Sequence, residues 1–322
     1  MICYRFGRDD LLRTRFAIAP LMELLGAFYV LRRPEQYVVH RRWVEWAEPR
    51  VRDLDLSLLD VAAPYGGSYW PVFISPPPRD PHPTIDAELA RVRATRPDHV
   101  VAEITRRYPN GVPAAGRSLV DDPTGALAAM TDQMRAFWQA ALAPRWTTIC
   151  ALLEAEVASR ARSLVALGSQ AAFTDLHPTV TWDTGILSVY PTQKQAADVE
   201  LAGRGLLLIP STFTWPDVWP RTDPPWDPAL VYPPTGIGDL WQSAGPDDDA
   251  LATLIGRRRA RILRELDRPA ATLQLAQRLG VGPSSVSDHL SVLRQAGLVT
   301  HRREGRVVIY ARTAQGDTLR GT

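Results

Sequence analysis

The residue types best suited to recognition chemistry lie near the end of the chain, between Gly280 and Arg312. Short polar side chains recur there at helical spacing, and a group of arginines follows them. The polar residues are Ser284, Ser285, Ser287, Asp288 and Ser291, and the arginines are Arg302, Arg303 and Arg306. Hydroxyl and carboxylate groups can bond to base edges, and guanidinium groups bind phosphates through paired hydrogen bonds. This composition favours contact with duplex DNA.

The serine-rich stretch predicts an amphipathic helix. At about 100° per residue, the apolar residues fall on one side and the polar residues on the other. The apolar side holds Val286, Leu290 and Leu293, and the polar side holds Ser284, Asp288, Ser291 and Gln295, flanked by Ser285 and Ser287. Asp288 could accept a hydrogen bond from a cytosine amino group, although a carboxylate without a partner repels phosphates. Any one of the serines, taken alone, could equally belong to a solvated helix surface.

The residues around the start of this stretch have the spacing of a helix-turn-helix. Counting from Thr272, the small residue Ala276 is fifth, Gly280 is ninth and the β-branched Val286 is fifteenth. A small residue lets two helices approach, glycine adopts the left-handed conformation at the turn, and a β-branched side chain fills the interface. Thr272 is the predicted N-cap of the first of these helices and a candidate DNA contact. A further helix is expected over Leu251–Leu266.

An alternating segment after Gly297 predicts a β-hairpin. The runs LVTHRR and RVVIYAR flank Glu304 and Gly305, so the three arginines gather near the hairpin tip. Guanidinium groups at such a tip can contact phosphates or enter an adjacent minor groove. The alternative is a charged edge strand that only keeps the sheet soluble. Arg312 lies further from the tip, and we expect it to be structural.

Charge is distributed unevenly along the 322 residues. Residues 251–322 hold 13 arginines, no lysine and five carboxylates, a net charge of +8, whereas the preceding 250 residues carry a net charge of −6. A basic C-terminal segment joined to an acidic N-terminal region is typical of a protein whose basic part binds a polyanion. The sequence therefore predicts an N-terminal regulatory and dimerisation body over 1–244 and a DNA-binding domain over 245–322.

The body is predicted to be mainly helical with a small antiparallel sheet, so the whole chain is expected to have an α+β fold. Apolar spacing predicts helices over Leu21–Leu31, Thr124–Leu142 and Arg145–Leu167. Two strands are expected within Thr179–Pro191, around a turn at Asp183–Gly185, and a third over Gly205–Trp215.

A segment rich in proline and aromatic residues, Trp215–Pro234, is the best candidate for an effector pocket. It contains seven prolines and four large aromatic side chains, Trp215, Trp219, Trp226 and Tyr232. Such side chains offer flat apolar surfaces with one polar group each, which suits a small apolar or aromatic ligand. The alternative, which we favour, is an ordered loop that packs over a core.

The remaining residues give no sign of catalysis, metal binding or secretion. Nucleophile-elbow, phosphate-loop, dinucleotide and zinc-protease motifs are absent from the sequence, and its histidines are scattered. Cys3 and Cys150 are too few and too far apart for a disulfide framework. The early residues lack an apolar signal segment, and no apolar stretch is long enough to span a membrane. We therefore expect a cytoplasmic protein that is not an enzyme and that needs no cofactor or metal.

The stretch Leu275–Tyr310, LAQRLGVGPSSVSDHLSVLRQAGLVTHRREGRVVIY, resembles the winged helix-turn-helix of ArsR-type bacterial transcription regulators. The resemblance implies that residues 284–295 form the recognition helix and residues 299–311 the wing. The cysteine pairs of the family's metal sensors have no counterpart here, so the resemblance does not imply metal sensing. The segments DLLRTRFAIAPLMEL and TWPDVWPRTDPPWDPALVYP are similar to the long N-terminal domain of an actinobacterial group of ArsR-like regulators, a likeness that implies no known ligand.

The leading hypothesis is a sequence-specific, DNA-binding repressor that acts as a homodimer. Dimerisation is expected because a single recognition helix reads few base pairs. One alternative is a sensor whose body binds a small-molecule effector and shifts the dimer between DNA-competent and incompetent arrangements. Another is a protein-interaction scaffold that uses the winged helix as a contact surface. An enzyme fused to a DNA-binding domain stays open only because a site can be cryptic.

Overall fold

The computed structural model describes residues 1–64, 70–191, 196–222, 226–241, 251–252, 254–304 and 307–320. The chain forms two compact units, of which the first comprises Met1–Tyr37 and Trp43–Pro234 and the second comprises Val38–Arg42 and Thr235–Thr322. A short segment from the early part of the chain therefore belongs to the C-terminal unit. The boundary expected between residues 244 and 245 lies within 242–250, outside the described residues, and the functions assigned to the two domains stay predictions.

Helices make up most of the first unit. They are α1 (Asp10–Arg13), α2 (Pro20–Arg32), α3 (Arg41–Val51), α4 (Ser57–Ala62), α5 (Ile85–Arg93), α6 (Pro97–Arg107), α7 (Ser118–Asp121), α8 (Pro123–Ala141) and α9 (Trp146–Leu167). Every residue of α2 from Pro20 to Val30 is buried, because this helix is apolar on nearly all sides. No helix of the described residues combines the length and the apolar character needed to cross a bilayer.

Two four-stranded sheets complete the first unit. The first has the order β3-β4-β1-β5 and the second the order β2-β6-β8-β7. Their strands are β1 (Ile2–Arg5), β2 (Arg15–Phe16), β3 (Val180–Asp183), β4 (Ile186–Val189), β5 (Ala197–Glu200), β6 (Leu207–Pro210), β7 (Trp219–Arg221) and β8 (Ala229–Tyr232). In each sheet parallel and antiparallel pairs occur together: β1 pairs antiparallel with β4 and parallel with β5, and β8 pairs parallel with β6 and antiparallel with β7.

The predicted α+β class is confirmed, and the three predicted helices agree with α2, α8 and α9 to within one residue at each end. The first unit was expected to contain one small antiparallel sheet. It contains two sheets with eight described strands, and each sheet includes parallel as well as antiparallel pairs. The strand expected over Gly205–Trp215 is shorter than predicted. It ends at Pro210, because the backbone then turns into a 3₁₀ segment, Thr212–Thr214.

One apolar core is shared by both sheets of the first unit. Tyr4 is fully buried on β1 of the first sheet, and its hydroxyl donates to the Ala229 carbonyl of β8 in the second sheet at 2.9 Å. The buried members of this core are Ile2, Tyr4, Ala172, Phe173, Leu176, Val180, Leu187, Val189, Leu201, Leu206, Leu208, Val218, Leu230 and Tyr232. Residues from the first and last thirds of the unit thus build a single interior.

Buried carboxylates fix the irregular backbone of the first unit. Asp10 accepts hydrogen bonds from the amides of Gly7 and Gly205, at 2.6 and 2.9 Å. Glu23 of α2 accepts from the Thr212 amide at 2.7 Å, and Glu88 of α5 accepts from the Leu21 amide at the same distance. Burial raises the pKa of Glu23 and of Glu88 to about 7, against the opposing effect of these hydrogen bonds.

The second unit contains a three-helix core and a small sheet. Its elements are α10 (Ile237–Leu240), α11 (Arg257–Glu265), β9 (Ala270–Ala271), α12 (Thr272–Leu279), α13 (Pro283–Gln295), β10 (Val299–Glu304), β11 (Val307–Arg312) and α14 (Ala314–Arg320). The sheet has the order β10-β11-β9, with antiparallel pairs. The single helix predicted over Leu251–Leu266 is wrong, because Gly256 has a φ of +86° and separates α11 from the helical residues before it.

The turn between α12 and α13 packs against two distant segments of the second unit. Gly280 takes the left-handed conformation with a φ of +63°. A Cβ atom at this position would lie 3.0 Å from Val39 Cγ2 and 3.2 Å from the Gly238 amide nitrogen. Arg261 of α11, whose side chain is buried, donates to the Leu279 carbonyl at 3.5 Å. An added methyl group at Gly280 would therefore press on Val39 and Gly238, which would have to move by a few tenths of an ångström.

A hydrogen bond holds the early segment of the second unit in place. His40, in the 3₁₀ segment Val38–His40, is fully buried, and its Nδ1 accepts from Trp241 Nε1 at 2.9 Å. The two rings meet edge to face, with their centroids 5.9 Å apart. Residues near position 40 are thereby fastened to the segment that follows α10.

Replacement of Glu23 by glutamine tests the raised pKa. In the unfolded chain the Glu23 carboxyl loses its proton near pH 4.5, whereas in the folded chain it keeps the proton until about pH 7. The free energy of unfolding therefore falls as the pH rises from about 4.5 to about 7. Glu23→Gln keeps an oxygen that can accept from Thr212. We expect this variant to differ little from the unaltered protein at pH 4.5 and to be about 3 kcal/mol more stable than it at pH 8. Urea denaturation at both pH values measures the difference.

Glu35→Gln is the matched control, because Glu35 is exposed. Its effect on the free energy of unfolding should be the same at both pH values. If Glu23→Gln lost equal stability at pH 4.5 and pH 8, the burial of an ionisable Glu23 would be contradicted.

Gly280→Ala tests the packing of the turn. The added methyl group meets Val39 and Gly238, and alanine is strained at this positive φ. We expect a loss of about 1–3 kcal/mol in the free energy of unfolding of the second unit, measured by thermal or urea denaturation. Gly282→Ala is the control, since Gly282 has a φ of −64° and its nearest neighbour would lie 3.7 Å away. Equal losses in the two variants would contradict the close approach at Gly280.

Candidate nucleic-acid interface

The helix-turn-helix predicted from spacing is formed by α12 and α13. Ala276 is buried where the helices approach, and its carbonyl accepts from the amides of Gly280 and Val281. Val286 is fully buried on α13, as are Leu290 and Leu293. The sequence begins α13 at Pro283, whose fixed φ suits the first helical position, after an extended Gly282. One face of α13 is therefore anchored along its whole length.

The opposite face of α13 is polar and open to solvent. Ser284, Ser287 and Asp288 are exposed, and Ser291 is partly exposed one turn further on. We call these four residues the reading face. Their spacing of three and four places them on one side of the helix, as predicted. Asp288 lies at the centre of this face.

Ser285 is separated from the reading face. It lines a shallow depression between α11 and α13 together with Arg258, Arg261, Leu279 and His289. Partial burial, together with the charges of Arg258 and Arg259, lowers the pKa of His289. His289 is therefore biased toward its neutral form, and the positive charge at this place comes from arginine.

Arg258 is a candidate that motif counting missed. It is exposed in the first turn of α11 and lies in the same depression as Ser285, in the first turn of α13. The amide groups at a helix N-terminus favour a negative charge, and a nearby guanidinium strengthens that preference. The basic run at Arg257–Arg261 was visible in the sequence, but only the fold brings Arg258 beside the start of α13.

Thr272 is the first residue of α12 and is partly exposed, but it is not the N-cap that was expected. The N-cap is Ala271, because Ala270 and Ala271 are extended as β9, which pairs with Tyr310 and Ile309 of β11. Gln274 compensates for the missing side-chain acceptor in part, since its Oε1 accepts from the Ala271 amide at 2.9 Å.

The predicted wing is the hairpin of β10 and β11. Arg302 lies opposite Ile309 and Arg303 opposite Val308, and both arginines are exposed. Because side chains alternate along a strand, the two guanidinium groups leave the hairpin on opposite faces. Gly305 and the predicted contact Arg306 lie outside the described residues. The wing thus presents basic groups on both sides near its tip.

Arg312 sits at the other end of the hairpin and makes a different set of contacts. Its guanidinium donates to the Asp317 carboxylate at 2.6 Å, to the Asp267 carboxylate at 2.8 Å and to the Leu263 carbonyl at 2.9 Å. It therefore ties β11 to α11 and α14, which agrees with the structural role expected for it.

The four aromatic residues of the candidate effector pocket lie in the first unit and contact different neighbours. Trp215 meets His177 edge to face at 5.8 Å, and Trp219 meets Tyr29 at 6.1 Å. Trp226 lies under Arg91 at 5.7 Å, and the fully buried Tyr232 lies 5.9 Å from the Arg160 guanidinium carbon. An effector site at these residues stays a prediction.

No group of three or more histidine, cysteine or acidic side chains within the described residues is placed to hold a metal ion. Cys3 and Cys150 are free, half-buried thiols, and burial together with Glu154 raises the pKa of Cys150 to about 11. Its thiol is therefore protonated at neutral pH.

Two protein families match separate regions of the chain. Residues 258–302, from α11 into the wing, match a helix-turn-helix domain family, and residues 92–237 match a family of unknown function, DUF5937. Among solved structures, reduced HlyU from Vibrio cholerae shares 28% identity over 23% of this chain and 81% of that chain, with a TM-score of 0.20. A search among curated proteins finds no match. The chain therefore carries a helix-turn-helix domain after a DUF5937 region, and the helix-turn-helix domain supports a role in DNA binding and transcriptional regulation.

Proposed function

We propose that the protein is a dimeric repressor that reads its operator with α13 in the major groove and holds the adjacent backbone with the wing. The observation that carries this proposal is the exposed reading face of α13 on a helix whose other side is locked into the core. A helix about 20 Å long fits the major groove, which is wide enough for one helix.

The hydroxyl and carboxylate groups of the reading face can form hydrogen bonds with the edges of DNA bases. Serine hydroxyls both donate and accept, and their short side chains let the helix backbone approach the groove floor. Ser284 and Ser287 lie in the first turns of α13, the part that contacts bases in helix-turn-helix proteins. Asp288 can accept from the amino group of cytosine, which would make one position of the operator depend on it.

Further basic and hydroxyl side chains of the second unit are available to contact the DNA backbone. Arg302 and Arg303 lie on strand β10 of the wing, Arg306 is expected at the wing tip, Arg258 of α11 lies beside the start of α13, and Thr272 begins α12. We assign these side chains to phosphate contacts, or in the wing to a minor groove, because guanidinium and hydroxyl groups position a protein on the backbone. The net charge of +8 over residues 251–322 orients that end toward DNA during encounter.

Dimerisation follows from the size of the reading face. One recognition helix contacts only a few base pairs, and two related by a two-fold axis read half-sites about 34 Å apart. A dimer bound in this way covers the operator against RNA polymerase, so we assign repression as the outcome. A promoter–reporter assay tests this step: adding the protein should lower transcription from a promoter that contains its operator, and raised transcription would contradict repression.

Removing the wing arginines should weaken binding to all DNA sequences. We expect Arg302→Ala, Arg303→Ala and Arg306→Ala together to reduce affinity at least tenfold at about 0.1 M salt and to lower the slope of log affinity against log salt by about 2–3. Fluorescence anisotropy over a salt series measures both quantities.

The control replaces exposed arginines of the first unit, Arg93→Ala and Arg117→Ala. These variants remove positive charge from the first unit and should leave the salt slope unchanged. If the wing variant kept its affinity and its slope, the assignment of the wing to the backbone would be wrong.

Asp288→Ala should change sequence preference more than overall affinity. Loss of the accepted hydrogen bond is expected to relax the choice at one base pair in each half-site, by about 1–3 kcal/mol. Selection of binding sites from a random DNA pool compares the preferences of the two proteins. A uniform rise in affinity for every sequence would show instead that Asp288 only repels phosphates.

A further inference from the structure

Helix α9 in the first unit has one buried side between Ile149 and Glu156 and one open side, and from Ala161 to Leu167 it is exposed on nearly every side. Ile149, Leu153 and Glu156 are buried, and Arg160 donates to the Glu156 carboxylate at 2.7 Å and to the Asp175 carbonyl at 3.0 Å. These contacts fasten one side of the helix to its own unit. The other side follows the same 22 residues without being covered.

The open side of α9 is made of small and apolar residues with one charge toward each end. At about 100° per residue, eight exposed residues lie within about 60° of Ala158. We call them the outer face of α9: Thr147, Ala151, Glu154, Ala155, Ala158, Ala161, Arg162 and Val165. Val165 is 84% exposed, which is unusual for a large apolar side chain on a long helix. Alanines at this spacing let a second helix come close.

The charges on the outer face are arranged symmetrically about Ala158. Glu154 comes four residues before it, and Arg162 comes four residues after it. If a second copy of α9 lies antiparallel across a two-fold axis at Ala158, Glu154 faces Arg162 of the partner subunit, and the same pair occurs twice. Ala151 then faces Val165 of the partner subunit. A parallel arrangement would place like charges together, which is unfavourable.

We propose that the outer face of α9 binds a second copy of this chain, antiparallel, with the two-fold axis at Ala158. The interface is isologous, so the same patch on both copies is covered and assembly stops at the dimer. This inference rests on the proposed dimeric function and supplies its surface. It places the dimer contact in the first unit, apart from the helix-turn-helix.

Charge reversal tests the antiparallel pairing. Glu154→Arg or Arg162→Glu alone puts like charges opposite each other twice, and we expect the dissociation constant of the dimer to rise about tenfold or more. The double variant, Glu154→Arg with Arg162→Glu, restores opposite charges and should dimerise as the unaltered protein does. Sedimentation velocity over a concentration series measures the constant, and circular dichroism confirms that each variant is folded. Unchanged single variants, or a double variant as weak as the singles, would overturn the proposal.

Cross-linking tests the position of the axis. In a chain with Cys3→Ser and Cys150→Ser, we expect Ala158→Cys to form a disulfide-linked dimer on mild oxidation, because residues at a two-fold axis face their own copies. Ser159→Cys is the matched control, since Ser159 is also exposed but points about 100° away. If Ser159→Cys cross-linked as readily as Ala158→Cys, or if Ala158→Cys stayed unlinked, α9 would not be paired in this way.

Binding to the operator separates this proposal from the proposed function. A folded, monomeric Glu154→Arg variant should bind the full operator at least tenfold more weakly while its affinity for a single half-site is unchanged. If the variant remains a dimer that binds the full operator normally, the α9 interface is wrong and the DNA-binding proposal stands. If the wing variant of the previous section binds normally, the DNA-binding proposal fails whatever the state of α9.

Discussion

The position of α13, the proposed recognition helix, depends on the close packing around Gly280. The left-handed turn, the amide of Gly238 and the side chain of Val39 occupy the same few ångströms, and the Arg261 guanidinium reaches the Leu279 carbonyl beside them. A packed interior resists small displacements, so this contact sets the angle at which α13 leaves α12. The reading face of α13 presents its side chains correctly only while that angle is kept.

The same packing gives the early part of the chain a place in the second unit, beside the turn between α12 and α13. The chain enters the second unit at Val38, leaves it after Arg42 and returns to it at Thr235. His40 is fastened to Trp241, and Val39 lies against the turn. A fragment cut near residue 245 would lack these contacts although it would contain the whole helix-turn-helix, so the isolated fragment is the wrong material for measuring DNA binding.

Local patterns predicted α2, α8, α9 and the whole helix-turn-helix, because glycine, proline and apolar periodicity determine these elements over short distances. They did not predict β1, whose four residues pair with strands about 190 positions later, nor the place of Val38–Arg42. They also misplaced the N-cap at Thr272, since pairing of Ala271 with β11 decides that helix start. Arg258 was visible as part of a basic run, but its position beside α13 required the tertiary fold.

The central claim is that α13 reads a defined DNA sequence as one half of a symmetric pair. The most direct measurement is hydroxyl-radical footprinting of fragments selected from the source genome by binding to the full-length protein. The account predicts one enriched sequence that contains two inverted half-sites, with protected stretches of backbone about one helical turn apart. No enrichment over the input DNA, or a single protected site without an inverted repeat, would contradict it.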